Sequence, residues 1–411
     1  MRTRTDIAAA YTGASGAAYD RMPAIAGVGC TPFYRRGGTV GRTAVELACA
    51  AILDSLCDAG LTADDVDGFA LFSGGLDVGL LVETLGIPEI RFAATVAGSG
   101  GGSAGSVGLA SAAIASGMAS VVVSVVAVQQ LTRMGAALAP GDGSGQYAAR
   151  PTAQSDFTIP AGLLAPGQAF AMIAARHMHE FGTRREDFAE VAISTRANAT
   201  RRETALMRTP LTLEQYLDSR IIADPLCLYD HCLESEGAVA IVTTSLARAR
   251  GCRNAPVRVL ASAHGGSGDW GRAIGAFNMP DSVFASSGHT AVARTLYGRA
   301  GLSPSDVDVA LLYDHFSPMV IMQLEDYGFC LRGEGGPFVR EGNIRWPGGA
   351  LPVNTHGGNL SEAYILGMTH ILEAVEQIRG TAVNQVPDAE VALVTGGPAP
   401  VPVSALLLGR E

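Results

Sequence analysis

Apolar and polar positions alternate along this chain in a strand–helix–strand rhythm, and the rhythm occurs twice. Ala59-Gly-Leu-Thr-Ala-Asp-Asp-Val-Asp-Gly-Phe-Ala-Leu-Phe72 and Ala300-Gly-Leu-Ser-Pro-Ser-Asp-Val-Asp-Val-Ala-Leu-Leu-Tyr313 are identical at seven of fourteen positions. Each copy reads as a helix end, a glycine stop, a short polar turn and an apolar strand. A second echo follows. Gly98 to Gly102 leads into a helix of small residues ending near Gly117, with a strand over 119–128 behind it. Gly357-Gly358 leads into a helix through about Ile378, stopped by Gly380, with a strand over 390–395. Buried strands alternating with helices predict a mostly parallel sheet covered by helices, built twice in an α/β chain.

Further strands are expected over 257–261 and 401–408. The boundaries that follow are a first half over 1–255 and a second over 256–411, with an insertion over about 131–225 in the first. The insertion opens with a Gly/Pro-rich stretch, 139–167, and continues into charged helical segments such as 184–202. It is expected to cover the active site. His177 and His179 fall on such a segment and are expected to be partly exposed.

Length and composition narrow the classes. The chain has 411 residues, 48% hydrophobic and 17% charged, which favours a large packed core. A net charge of −10 leaves no basic footprint for nucleic acid. Seven cysteines, without a C-x-x-C pair, point to a reducing cytoplasm and no disulfide framework. No secretory h-region is visible at the N-terminus. The uncharged stretch 100–129 is long enough to span a membrane, but its many Gly and Ser residues read as a buried helix followed by a buried strand.

Several motifs suggest chemistry. Gly100-Gly-Gly-Ser-Ala-Gly105 has the spacing of a dinucleotide loop, but the next acidic residue is Asp142, too far away to hold a ribose. Gly101-Gly-Ser-Ala-Gly105 also matches a hydrolase nucleophile elbow, with Asp314 and His356 following in order; a duplicated chain does not suit that fold. Asp230-His-Cys232 lacks the second ligand pair of a zinc site and reads as structural, so no metal is expected. Two segments remain: Tyr313-Asp-His-Phe-Ser317, and Asn354-Thr-His-Gly-Gly-Asn-Leu-Ser-Glu-Ala-Tyr364. Each places titratable groups where a buried strand meets a loop or helix, where open α/β sheets bind ligands. Tyr313 and Tyr364 can equally be core tyrosines with satisfied hydroxyls.

These segments resemble the thiolase superfamily, nearest the sterol-carrier-protein-linked thiolases, over nearly the whole chain after Pro23. Ile25-Ala-Gly-Val-Gly29, Arg220 to Leu226 and Glu236-Gly-Ala-Val-Ala240 carry the likeness with them. The resemblance implies two βαβαβαββ halves in a five-layered αβαβα fold. It also exposes departures. The nucleophilic cysteine of a thiolase would stand at about Gly100, beside Ser99, and the acid/base cysteine in Val394-Thr-Gly-Gly-Pro398; neither is present. Tyr313-Asp-His-Phe316 replaces a His-Asp-Cys-Phe motif, and Ala363-Tyr-Ile365 replaces Gly-His-Pro. Phenols therefore stand where thiolases keep catalytic histidines.

Thiolysis needs a thiolate. Retro-aldol cleavage of a β-hydroxyacyl-CoA needs only a base, an acid and stabilisation of an enolate, and tyrosine can both donate and accept. The pattern is similar to the thiolase-like aldolases of bacterial steroid side-chain degradation. That resemblance implies cleavage of a 17-hydroxy steroid CoA thioester to a 17-ketone and a short acyl-CoA such as propionyl-CoA. CoA enters as part of the substrate, and no covalently held cofactor is expected. Tyr313 and Tyr364 would be base and acid, in an order left open, with His315 and His356 orienting or tuning them. Ser99, Gly100, Gly357, Gly358, Gly396 and Gly397 would line the substrate and oxyanion region. A homodimer and a small OB-fold, zinc-ribbon partner are also implied. The alternatives are a cysteine-free acyltransferase, acylated on Ser99 or Ser103, and a non-catalytic scaffold that binds acyl-CoA.

Overall fold

The computed structural model describes residues 21–72, 75–96, 100–130, 160–267, 281–397, 399 and 402–411. Its strands are β1 (Pro23–Cys30), β2 (Tyr34–Arg35), β3 (Gly68–Phe72), β4 (Phe92–Val96), β5 (Val121–Val128), β6 (Ile221–Ala223), β7 (Leu226–Cys227), β8 (Ser235–Ser245), β9 (Val257–Gly265), β10 (Val309–Leu311), β11 (Val391–Gly396) and β12 (Val403–Gly409). The helices that matter for the site are α1 (Ala44–Ala59), α2 (Gly102–Ser116), α3 (Pro166–Phe181), α4 (Arg185–Ala199), α5 (Thr290–Ala300), α6 (Ser317–Asp326) and α7 (Met368–Arg379).

The repeated segment does one job twice. α1 stops on Gly60 at φ 71° and α5 on Gly301 at φ 66°, left-handed positions that favour glycine. In the turn that follows, Asp65 accepts the Thr62 N–H at 2.9 Å and Asp306 the Ser303 N–H at 2.8 Å. The second aspartate of each copy then reaches sideways. Asp67 accepts the N–H groups of Ser120 and Val121, both at 2.8 Å, and Asp308 those of Glu390 and Val391 at 2.8 and 2.9 Å. Asp-Val-Asp thus caps a turn and fixes the start of the neighbouring parallel strand.

The strand order is β10-β11-β12-β9-β1-β8-β5-β3-β4, with β2 on β8, and it matches outward from the β9–β1 seam. β9-β12-β11-β10 repeats β1-β8-β5-β3. The sheet is mixed rather than mostly parallel. β3 is parallel to β4 and β5, and β10 to β11, whereas β8 and β12 run antiparallel to their sheet neighbours on both sides. Both return strands are buried along nearly their whole length, so in sequence they imitate strands of a covered parallel sheet.

Helices complete five layers. α1 covers β1, β8 and β5 on one outside, and α5 covers β9 and β12 on the other. Between them α2 and α7 touch strands of both halves. The small residues of α2 permit this: a Cβ on Gly102 would lie 1.8 Å from the Phe72 ring, and one on Gly105 3.2 Å from the His264 ring. The uncharged stretch is thus α2 followed by β5. Among the described residues no helix is long and apolar enough to cross a membrane.

α3 and α4 of the inserted region join a core containing Phe170, Phe188, Phe316 and Met319. His179 is exposed, but His177 is not. Its ring is buried between Thr183 at 2.8 Å and Glu325 at 3.1 Å, because that face of α3 closes on α6. The register role of the second aspartate gives a direct expectation. Asp308→Ala should lower the unfolding free energy by about 1–3 kcal/mol, the cost of stranding two strand N–H groups. Asp306→Ala, which uncaps an outer turn, should cost roughly 0.5–1 kcal/mol; urea titration of both variants measures the difference.

Candidate active site

Tyr313 lies two residues beyond β10, and three bonds fix it there. Its N–H donates to Thr395 Oγ1 at 2.8 Å, its carbonyl accepts Gln323 Nε2–H at 2.9 Å, and Thr395 donates to Gln323 Oε1 at 2.6 Å. The ring fits a slot that only glycines leave open. A Cβ on Gly100 would be 2.3 Å from the phenol oxygen, and one on Gly367, at φ 81°, 2.6 Å from the ring.

Tyr364 comes at the end of a wide turn, Gly358–Glu362, that the sequence suggested as the start of a helix. The helix proper, α7, begins only at Met368. Tyr364 N–H donates to Ser235 Oγ at 2.7 Å, and that hydroxyl donates back to the Tyr364 carbonyl at 3.2 Å. Arg202 clamps the turn to α7: it pairs with Glu362 and donates to Glu373 at 2.8 Å and Glu376 at 2.9 Å. Burial raises the Glu376 carboxyl to about 7 against the pull of Arg202.

The two tyrosine segments share one carboxylate. Asp314, fully buried, accepts the N–H of Asn359 at 2.8 Å and of Leu360 at 3.3 Å, and Nε2–H of His370 at 3.1 Å. The result is a phenol pair. Tyr313 Oη and Tyr364 Oη are 3.1 Å apart, their rings 6.3 Å apart and nearly perpendicular at 81°, with residue exposures of 1% and 5%.

The remaining expected residues fall in distinct places. His315 packs edge-on to Phe170 at 4.3 Å and to Tyr313 at 5.3 Å. Burial, with His231 adding to it, pushes its pKa down to about 3. His356 lies beneath the site, 4.7 Å from the His370 ring, with neither ring nitrogen hydrogen-bonded. Burial, then His370 and Arg202, hold it well below the usual imidazole range. Both are neutral rings near pH 7, so neither brings a cation to the phenols. The nearest neighbours of Gly357 and Gly358 are Ala199 and the Asp314 carboxylate, 2.7 and 2.0 Å from a Cβ built on each. Gly397 meets Gly101 and Gly100, and Gly396 meets Ser404 and Ser103. Ser99 lies outside the described residues.

Among the described residues no serine or cysteine nucleophile is assembled here. Ser103 donates its hydroxyl to the Gly100 carbonyl at 3.1 Å, and Asp314 engages His370 rather than His356. Burial raises the thiols of Cys232 and Cys30, the latter to about 12. Among the described residues no group of His, Cys, Asp and Glu could hold a metal ion.

A cleft of about 760 Å³ borders the segments that carry the tyrosines, although neither phenol lines it. Phe316 and Leu360, from the segments that carry the tyrosines, line it together with His231, Arg36, Arg196 and Arg220. Apolar walls and guanidinium groups suit a ligand with a long arm and phosphates.

Sequence reasoning missed His370, whose ring stacks on Tyr313 at 6.2 Å and 22°, and also Arg202, Ser235 and Gln323. A weak signal existed for one of them, Arg202: Glu373 and Glu376 sit three apart on α7, and buried carboxylates ask for a cation.

Comparison with known proteins places these features in context. Residues 271–406 match the family model described as thiolase C-terminal domain-like. A steroid side-chain-cleaving aldolase of Thermomonospora curvata is 40% identical over 94% of this chain and 98% of its own length. A 17-hydroxy-3-oxo-4-pregnene-20-carboxyl-CoA lyase of Mycobacterium tuberculosis is 41% identical over the same shares of each chain. Among solved structures, an Ltp2-ChsH2(DUF35) aldolase superposes with a TM-score of 0.87 at 38% identity, covering 96% of this chain and 99% of that one. A monomeric SCP2-thiolase-like protein of Mycobacterium smegmatis, 19% identical with a TM-score of 0.71 over 95% of this chain and 78% of its own, shares the fold.

The neutral His315 has a measurable consequence. Between its unfolded value near 6.5 and its folded value of about 3, only the unfolded chain takes up the proton. Its contribution to stability is complete above about pH 6.5 and is lost as pH falls, by up to about 1.4 kcal/mol per pH unit. Denaturant titrations from pH 7 to 5 should therefore show His315→Phe losing less stability with acid than the parent chain.

Proposed function

The chain belongs to the thiolase superfamily, among the steroid side-chain-cleaving aldolases, and from that premise we propose that it cleaves a 17-hydroxy steroid side-chain CoA thioester by a retro-aldol reaction. It is a thiolase-like aldolase, a carbon–carbon lyase acting on a CoA-linked substrate. The products of the proposed reaction are a steroid 17-ketone and a short acyl-CoA, with propionyl-CoA the expected one. The observation that carries the reading is the hydrogen-bonded pair of phenols, Tyr313 and Tyr364, 3.1 Å apart, where a thiolase would keep imidazoles.

The chemistry follows from charge balance. One tyrosine of the pair, as the phenolate that its partner's hydroxyl hydrogen-bonds, takes the proton of the β-hydroxyl and becomes a phenol. The carbinol carbon becomes a ketone, the bond to the α-carbon breaks, and its electron pair moves into the thioester as an enolate. The second phenol then protonates the α-carbon. One proton has entered the pair and one has left it, so transfer across the hydrogen bond restores both tyrosines without water or any co-reactant. Backbone groups around Gly100 and Gly397, beside the Tyr313 ring, would stabilise the enolate oxygen, a type of contact worth roughly 3–4 kcal/mol in the transition state. His315 would orient Tyr313 by packing alone. The cleft lined by Arg36, Arg196 and Arg220 would take the CoA arm.

The assembly is proposed on similar grounds. The aldolase that superposes on this chain is titled as a complex with a DUF35 protein. A comparable small partner with an OB fold and a zinc ribbon would complete the steroid channel. β4 ends the strand order and is half exposed, a template on which a second copy could pair to form a homodimer. Free thiols and CoA chemistry suit the reducing cytoplasm.

The test uses the chain with its DUF35-type partner and a 17-hydroxy steroid CoA thioester. Tyr313→Phe and Tyr364→Phe should each lower kcat by roughly 10²–10⁴-fold, with thermal midpoints close to the parent's. Intact-mass measurement during turnover should find no acyl adduct. Unchanged kcat in both variants, or an acyl group on Ser99 or Ser103, would overturn the aldolase assignment of these residues.

A further inference from the structure

We propose that His289 is a positioning residue for the reaction: it fixes Gly397 against the Gly100–Gly101 backbone, and Gly100 in turn packs on the Tyr313 phenol. This rests on the assignment of Tyr313 as an acid/base group. His289 lies outside the two tyrosine segments, in the turn before α5, and its side chain is fully buried. Both ring nitrogens are engaged. Nε2 bonds to the Gly397 carbonyl, and Nδ1 lies 2.9 Å from Tyr327 Oη. A carbonyl only accepts, so Nε2 carries the hydrogen; Nδ1 is then the acceptor, and Tyr327 donates to it. The ring is thereby held as one neutral tautomer, and burial pushes its pKa down to about 4.

What His289 holds is a backbone in close contact. Gly397 has φ 62°, and a Cβ there would lie 2.4 Å from Gly101 N and 2.8 Å from the Gly100 carbonyl carbon. Gly100 in turn has no room for a side chain against the Tyr313 phenol. One step further along the loop, Ala399 N–H donates to the Ser287 carbonyl at 3.0 Å, from the same turn as His289.

The turn is itself anchored to α6, the helix that follows Tyr313. Asp326, the last residue of α6, accepts Ser287 N–H at 3.0 Å, Ser287 Oγ–H at 2.6 Å, Ser286 Oγ–H at 2.9 Å and Thr290 Oγ1–H at 3.0 Å. α6 begins four residues after Tyr313, and Gln323 within it holds the Tyr313 carbonyl. A closed ring of contacts results. It runs from Tyr313 through α6 to Asp326 and Tyr327, to His289, to Gly397, to Gly100 and Gly101, and back to the face of the phenol. His289 is the side chain that closes it. Loosening it would let the Gly100–Gly397 wall shift relative to Tyr313 while leaving the cleft at Phe316 and Leu360 intact. Misplacement by about 1 Å is enough to cost on the order of 10²-fold in rate.

The experiment measures kcat, KM and thermal midpoint for His289→Phe, His289→Gln and Tyr327→Phe beside Tyr313→Phe, with the partner protein and the 17-hydroxy steroid CoA thioester. His289→Phe should lower kcat by roughly 10- to 100-fold with KM within about twofold of the parent. His289→Gln keeps an N–H donor and should recover to within about fivefold, and Tyr327→Phe should fall between them. If His289→Phe does not fold, the Gln and Tyr327→Phe variants decide. A kcat within twofold of the parent in His289→Phe, or in both of the other variants with Gln no better than Tyr327→Phe, overturns the proposal. So does a loss that follows the thermal midpoint alone. Tyr313→Phe separates the premises: if it is inactive while the His289 variants are normal, only the role of His289 falls. If Tyr313→Phe is itself fully active, both fall.

Discussion

A single buried carboxylate holds the site together. Asp314 follows Tyr313 directly in the chain, and it accepts hydrogens from the turn that leads to Tyr364 and from His370 beneath the Tyr313 ring. Two segments are thereby fixed relative to one another by a bond that spans 45 residues of sequence. A buried carboxylate is tolerated because charge-assisted bonds replace the water it lost. The Arg202 cluster does the same for Glu362, Glu373 and Glu376 on the far side of the turn. The phenol pair is the geometric consequence: two hydroxyls in hydrogen-bond contact, nearly free of solvent, with the neutral His315 ring for a neighbour.

The duplication explains why the phenol pair sits where it does. In the repeated segment Phe72 of the first half corresponds to Tyr313 of the second. Both rings meet the glycine-rich start of α2, Phe72 against Gly102 and Tyr313 against Gly100. One fold unit thus presents an aromatic ring to the middle layer from each side. On one side it is pure core; on the other a single added oxygen reaches Tyr364. Closing the fold and placing the phenol are therefore the same packing event, and the small residues of α2 serve both.

Much of this was legible in the sequence. Gly60 and Gly301, the Asp-Val-Asp pair and the helix stops at Gly117 and Gly380 have local physical causes, and local causes leave sequence signatures. The two tyrosine segments stood out because polar, titratable residues interrupt apolar strands. Strand direction was not legible: β8 and β12 are covered on both faces, so burial hid their antiparallel course. The burial of His177 and the roles of His370, Arg202 and His289 depend on partners 56 or more residues away, which no local side-chain pattern encodes. Gly357 and Gly358 looked like an anion-binding loop, and their nearest anion proves to be the chain's own Asp314.

The central claim is that the two phenols work as one acid/base unit through their hydrogen bond. A double-mutant cycle on kcat with Tyr313→Phe, Tyr364→Phe and the combined variant tests it most directly. Groups that act as a unit are not additive, so the double variant should be no slower than the slower single variant, within about threefold. Losses that multiply, with the double variant slower by the product of the two single effects, would show two independent residues and contradict the account.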